Sequence, residues 1–289
     1  MTESIASLRH LKRQIAAIEQ REGLCDSAVD TVRVGTGHDG IDQAIGGGLA
    51  RGRLHEVFAH DAADAGCAAG FVGMLAVRLG GSLVWLREDA AEKQGVLHVG
   101  GLVELGIDPS HLILGVLPDP LAVLRAAADV VRCPAVGVAV IEMRRNPAML
   151  DLTAGRRLAL AAESSGVTVL LLRIDAQPSP SAADTRWSAS AAASAPLEAN
   201  APGYPVLDVT LLRQRGRPGD GRWLVEWDRD QASFRAAGAP RRSDHDGARD
   251  PRRDSGIIAA TVRPAASGTV VSLPVERPAM PHPGFRRVG

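Results

Sequence analysis

Residues 41–71 read IDQAIGGGLARGRLHEVFAHDAADAGCAAGF, and the fold turns on how they are parsed. Asp39 stands where it can cap a short helix through Ile45 that ends at Gly46. Gly46, Gly47 and Gly48 then permit a tight or left-handed bend. Arg53–Phe58 reads as a central strand, and Cys67–Leu79 as an apolar helix, with a loop between them. Strand, loop, helix is the layout of a P-loop, where backbone N–H groups and a lysine cradle phosphate. Here the lysine is missing, because the chain's only lysines are Lys12 and Lys93. With Gly66 as the motif's last glycine, Cys67 occupies the lysine position and Ala68 the position of the Mg²⁺-holding hydroxyl. The degenerate loop therefore comprises Ala59, His60, Asp61, Gly66, Cys67 and Ala68. Asp61 and Asp64 would repel a triphosphate. His60, Asp61 and Asp64 match no metal-ligand spacing, so neither cofactor nor metal is expected.

Downstream, apolar runs alternate with helical periodicity. Ser82–Leu86 reads as a buried strand followed by Arg87, Glu88 and Asp89. Residues 91–108 read as a loop with a short helix, and His111–Leu117 as the next strand. Pro118–Val131 is a helix whose predicted apolar face is Leu121, Leu124, Ala127 and Val131. Val136–Ile141 is a fully apolar strand ending at Glu142, with Arg144 and Arg145 beside that acid as pairing candidates. Asp151 caps a helix over Leu152–Ser164 with a predicted face of Leu152, Leu158, Leu160 and Ala161, and Val167–Leu172 is again a buried strand. This alternation predicts a mostly parallel sheet with helices on both faces and right-handed crossovers. Glu56 has two readings, a water-orienting carboxylate or the partner of a core-edge arginine. The missing lysine and hydroxyl favour the second.

After Arg173 the texture changes. Residues 176–183 are rich in Pro, Ser and Ala. Thr185-Arg186-Trp187 opens a strand, in which Trp187 is either core or a base-stacking residue, and 189–202 is low in complexity. Val206–Arg213 and Arg222–Asp228 alternate across a Gly-rich turn and form a hairpin. Arg213, Arg215, Arg217 and Arg222 cluster at that turn, as a solvated basic edge or as a contact for phosphate or an acidic partner. At the other end, Leu8, Leu11, Ile15 and Ile18 make an apolar stripe on a helix over Ile5–Arg21. The stripe packs on its own domain or docks on a partner. Glu22–His38 reads as a linker with a strand at Thr31–Val34. From Ala236 the chain is polar and Pro-rich, Arg241–Asp254 reads as disordered, and Ile257–Val262 and Thr269–Pro274 are short apolar pieces. The implied divisions are 1–38, 39–235 and 236–289.

Composition narrows the function classes. With 33 basic and 33 acidic residues there is no global field that would draw in nucleic acid. Cys25, Cys67 and Cys133 form neither a ligand cluster nor a disulfide framework, which points to a reducing cytosol. The acidic Glu3 and the lack of an apolar run before Leu8 predict no signal peptide. No apolar stretch reads as a membrane span, so a cytoplasmic protein is expected.

The run Ile41, Asp42, Gly46, Gly47, Gly48, Arg51, Gly52, Arg53, Glu56, Val57 resembles the entry to the core of bacterial RecA-type recombinases. Together with Asp151–Arg173, Thr185–Trp187 and the hairpin ending Trp223–Asp228, it makes the chain resemble the ImuA family over about residues 8–230. Members of that family are RecA/SulA-like accessory proteins of bacterial mutagenic translesion synthesis. The resemblance implies an α/β fold: a RecA-like three-layer core with a mostly parallel sheet, an N-terminal helix, a distal β-hairpin and a partly disordered C-terminal tail. It implies a non-enzymatic adaptor of the DNA-damage (SOS) response. The implied partners are an ImuB-like Y-family polymerase homologue, an error-prone replicative-type DNA polymerase and RecA. Leu8, Leu11, Ile15 and Ile18 are then the partner-binding surface. By the same resemblance Glu56, Glu88 and Glu142 are vestigial acids of a nucleotide site. A weak single-stranded DNA contact would fall to Arg186, Trp187, Arg213, Arg215 and Arg217, since the 176–183 loop has no basic or aromatic residue. The alternatives are a RecA-like ATP-binding or ATPase protein acting on recombination intermediates, and a SulA-like cell-division inhibitor.

Overall fold

The computed structural model describes residues 32–238, apart from 93–94, 96, 198–200, 202, 218 and 220. These residues belong to Met1–Ser243, the first of two units, of which Asp244–Gly289 is the second. The N-terminal stripe and the segment from 239 onward lie outside the described residues.

The glycine run makes the bend its composition predicts. Gly46, Gly47 and Gly48 have φ of 73°, 102° and 124°. The bend folds β2 (Leu49–Ala50) back antiparallel onto β1 (Arg33–Val34). A Cβ on Gly48 would lie 2.3 Å from the Val34 carbonyl oxygen, so no other residue fits there. Helix α1 (Asp39–Ala44) is capped by His38, whose Nδ1 accepts from Ile41 N at 3.3 Å. Asp39, expected as the cap, is instead the first helical residue. Asp42 turns back to accept from Thr36 N at 2.6 Å and Thr36 Oγ1 at 2.8 Å. Arg51 donates to the Leu79 carbonyl and Arg53 pairs with Glu163. This stretch therefore fastens the entry of the chain to the core.

The remaining elements are β3 (Leu54–Ala59), α2 (Ala65–Leu79), β4 (Leu83–Glu88), α3 (Asp89–Glu92), α4 (Val99–Leu105), β5 (Leu112–Leu117), α5 (Pro120–Val131), β6 (Val138–Arg144), α6 (Leu152–Ser165), β7 (Thr168–Ile174), β8 (Thr185–Ala192), β9 (Val206–Gln214), β10 (Arg222–Asp228) and β11 (Ser233–Ala236). The sheet order is β11-β10-β9-β8-β3-β7-β6-β4-β5. From β5 to β8 every pairing is parallel, and from β8 to β11 every pairing is antiparallel. The molecule is thus an α/β protein with a mixed sheet, and β3 lies at its centre.

Helices cover both faces. On one, Phe71, Val72, Leu75 and Leu79 of α2 join Trp85, Val140, Leu172 and Trp187. On the other, Val123, Ala127 and Val131 of α5 and Leu158 and Ala162 of α6 meet Leu86, Ile141 and Leu171. Each large side chain buried this way stabilises by about 1.5–3 kcal/mol. Ala62–Leu79 is long and apolar enough to cross a bilayer, contrary to the sequence expectation. Its large apolar residues Phe71, Val72, Met74, Leu75 and Leu79 are taken up by the core at the centre of the sheet.

Three further sequence assignments change. The buried stripe of α5 is Val123, Ala127 and Val131, while Leu121 is 40% exposed. The buried residues of α6 are Gly155, Leu158 and Ala162, and Leu160 is 65% exposed. In both helices the face that meets the sheet is built from smaller residues than the leucines suggested. The third change is β8, which runs on to Ala192 into the stretch read as low complexity, because Ala189, Ala191 and Ala192 pair with Val209, Leu207 and Val206.

Candidate functional site

Ligands of open α/β sheets bind outside the carboxyl ends of the parallel strands, which is where the β3–α2 loop lies. His60 stacks on Phe58 with ring centroids 6.0 Å apart, and its Nδ1 lies 3.4 Å from the Ala176 carbonyl. Asp61 Oδ1 accepts from Ala63 N at 2.8 Å and caps the 3-10 turn Ala62–Asp64. That turn runs straight into α2 through Ala65, which is itself right-handed helical. An anion-binding nest needs successive N–H groups turned inward by left-handed residues. No residue from 59 to 68 has positive φ. A Cβ on Gly66 would meet nothing within 4 Å, so this glycine serves neither a special backbone angle nor a close approach.

The electrostatics point the same way. Asp64 sits at the start of α2, and its Oδ1 accepts from Ala191 N of β8 at 3.0 Å. A thiol near a helix N-terminus normally ionises more easily. The Cys67 thiol is instead pushed up to about 12, first by burial and then by the charges of Asp64 and Asp208. Asp208 is a contributor that sequence reading missed, because β9 comes alongside this region only in the fold.

The three acids Glu56, Glu88 and Glu142 are all buried. Glu56 accepts from Arg186 Nε at 2.7 Å, and both side chains are buried. Arg186 also donates to the Ser179 carbonyl at 2.5 Å. Arg186 and Arg173 flank the Phe58 ring at 5.3 Å and 5.7 Å from its centroid, a geometry that favours cations over an aromatic face. Arg173 donates to Asn146 Oδ1 at 2.6 Å and to the Arg145 carbonyl at 3.1 Å. Burial lowers the Arg173 pKa, an effect that Glu56 opposes and Arg186 reinforces.

Glu142 accepts from Trp85 Nε1 at 3.0 Å and from an Arg87 guanidinium nitrogen at 3.1 Å. Arg144 and Arg145, expected beside that acid, are not its partners. Leu86 pairs with Ile141, so Arg87 and Glu142 follow side by side on neighbouring strands. Glu142 is also inside β6 rather than at its end, since the strand continues to Arg144. Glu88, the last residue of β4, is buried with Oε1 3.5 Å from Arg144 N.

The nucleic-acid candidates separate into two groups. Trp187 is 1% exposed and packs edge-on to Phe71 at 6.2 Å, and its Nε1 donates to Thr185 Oγ1 at 2.7 Å. It is a core residue, with no face open to a base, and Arg186 is committed to Glu56. Arg213, Arg215 and Arg217 are exposed. Arg186 pairs with Arg213 and Thr185 with Gln214, so these arginines lie where β8 begins, at the end of the sheet opposite the β3–α2 loop. Arg213 donates to the Ser181 carbonyl at 3.2 Å, and Arg215 lies 3.8 Å from Glu163.

Behind the β3 strand, a buried polar chain escaped sequence reading. Trp187 donates to Thr185 Oγ1. The His55 ring then lies with Nδ1 2.8 Å from Thr185 Oγ1 and Nε2 2.9 Å from the Ala50 carbonyl. A carbonyl can only accept, so Nε2 carries the proton and Nδ1 accepts from the threonine hydroxyl. Burial lowers the His55 pKa, opposed by Asp184 and the Ala50 bond and reinforced by Arg33 and Arg53.

Fold and site together define an α/β protein on a mixed sheet whose central strand–loop–helix unit has a capped helical turn in place of an anion-binding concavity. Over 209 residues the chain is 33% identical to Protein ImuA of Caulobacter vibrioides, with the same figures for strains NA1000 / CB15N and ATCC 19089 / CB 15. The match takes in 66% of this chain and 81% of that protein. The chain belongs to the ImuA family. No family model matches it.

Proposed function

We propose that the chain is a non-enzymatic cytoplasmic accessory protein of DNA-damage-induced mutagenic translesion synthesis. In this reading a RecA-like scaffold binds an ImuB-like Y-family polymerase homologue, with an error-prone replicative-type polymerase and RecA as further members of the assembly. Family membership supplies the context. The observation that carries the non-enzymatic part is the β3–α2 loop, where Asp64, Asp61 and a protonated Cys67 occupy the place of a phosphate cradle. The three-layer build, with β3 central and α2 packed directly behind it, supports the RecA-like description. Glu56 and Glu142 are each paired with a buried arginine, which supports a structural role for both acids.

Partner capture is assigned to Leu8, Leu11, Ile15 and Ile18, whose spacing gives one apolar stripe. The test is a pull-down of the polymerase homologue by the full chain and by Leu11→Asp plus Ile15→Asp, with thermal melts of both. Loss of capture by a double variant that melts like the parent is the expected result. Undiminished capture by that folded variant refutes the assignment.

A further inference from the structure

The helix pair on the far face of the sheet leaves a groove that the proposed function does not use. Helices α5 and α6 each present two stripes. One stripe of α5 is buried against the sheet, and the neighbouring one, Leu121, Leu124, Arg125 and Ala128, lines a groove beside α6 together with Arg132 just past the helix end. On α6 the corresponding positions are Ala154, Arg157, Leu158 and Ala161, at helical spacing. Ala128, Ala154 and Ala161 bring small side chains to the groove's lining, Leu121, Leu124 and Met149 bring larger ones, and the buried Leu158 lies at its base. The resulting space is about 280 Å³, just below the roughly 300–1,000 Å³ of small-molecule and cofactor sites. It suits a few apolar side chains projecting from another chain. Leu121 and Met149 are each 40% exposed, so the walls are open to an incoming segment.

Charge selects the occupant. Arg125, Arg132 and Arg157 all line the groove, and no acidic residue does. Among the described residues Arg125 and Arg157 have no ion-pair partner. Arg132 has only a loose one, Asp129 at 3.8 Å, with both side chains mostly exposed. An apolar trough edged by three cations complements a helix whose hydrophobic anchors alternate with carboxylates. A nucleic acid would supply the negative charge but would leave the trough without apolar partners.

We propose that the α5–α6 groove is a docking site for an acidic amphipathic helix of a partner protein, with leucine-type anchors one helical turn apart flanked by Asp or Glu.

The test uses the full chain and two fluorescent synthetic helices with identical leucine anchors, one flanked by glutamates and the other by lysines, read by anisotropy. The glutamate helix binds at least about tenfold more tightly than its lysine twin, and raising the salt narrows the gap. Arg125→Glu with Arg157→Glu inverts the preference; both positions lie on the protein surface, so melts should match the parent. Ala128→Trp, which fills the trough, abolishes binding of both peptides. Equal affinity for the two peptides, no binding of either, or an Arg125→Glu/Arg157→Glu variant that keeps the original preference overturns the proposal. So does a single-stranded oligonucleotide that binds the parent and is lost in that variant, or a self-association abolished by Ala128→Trp.

Discussion

Replacing Glu56 by alanine should unfold this protein more readily rather than silence an activity. Its carboxylate is the acid between two buried guanidinium groups, Arg186 at 2.7 Å and Arg173, whose charge it supports electrostatically. Truncation leaves both cations buried around Phe58 without that acid. Removing one member of a buried ion pair costs about 3–5 kcal/mol. In a domain of this size each kcal/mol moves the melting temperature by roughly 2–4 °C, so Glu56→Ala should melt about 6–20 °C lower. Glu56→Gln, which keeps an acceptor for Arg186 Nε but no charge, should fall between. The double variant Glu56→Leu/Arg186→Met should recover most of the loss. It removes the pair together, and for Arg173 it removes one attractive and one repulsive neighbour at once. The assay is thermal or urea unfolding followed by circular dichroism. A Glu56→Ala protein melting within about 2 °C of the parent, less than the shift expected for a single kcal/mol, would refute the structural role. So would a double variant no more stable than the single.

Two further outcomes follow from the perturbed groups. His55 is buried neutral with its pKa below the ordinary 6.5, so in that window the unfolded chain binds more protons than the folded one and stability rises with pH. Stability should therefore be full above about pH 6.5 and fall as the pH drops through the interval below it. Urea midpoints of the parent and His55→Gln at pH 7.5 and 5.5 check this; an equal fall in both proteins counts against it. Cys67, pushed up to about 12, should resist an aromatic disulfide reagent at pH 8 in a Cys25→Ser background, while the exposed Cys133 reacts at once. Two thiols reacting at the same fast rate in the folded protein would contradict the placement of Cys67.

How much of this was legible in the chain depended on distance along it. The glycine bend, the central strand, the β9–β10 hairpin and the alternation of strands and helices are local patterns, and the structure has each of them. Helix faces were harder to read. In α5 and α6 the leucines attract attention, but the sheet-facing stripes are Val123, Ala127, Val131 and Gly155, Leu158, Ala162, because two helices side by side need small residues to approach the strands. His55 reads as a polar interruption of a strand, and Glu56 as the partner of a core-edge arginine whose position the sequence does not give. Both are buried, and their partners Thr185 and Arg186 arrive with a strand far downstream. The same holds for Glu142: sequence offered the adjacent arginines, whereas strand register delivers Arg87. The missing lysine was visible directly. That the loop is also wound into a capped turn shows only in the fold, since nothing in HDAAD fixes the backbone angles of Ala62–Ala65.

Calorimetric titration of ATP with Mg²⁺ into the full chain bears most directly on whether the β3–α2 loop has lost its phosphate site. No saturable heat is expected up to about 1 mM nucleotide, a concentration at which even a weak site worth about −4 kcal/mol would begin to fill. Saturable one-to-one binding with a micromolar Kd, roughly −8 kcal/mol, would show that a phosphate cradle survives there and would contradict the non-enzymatic reading.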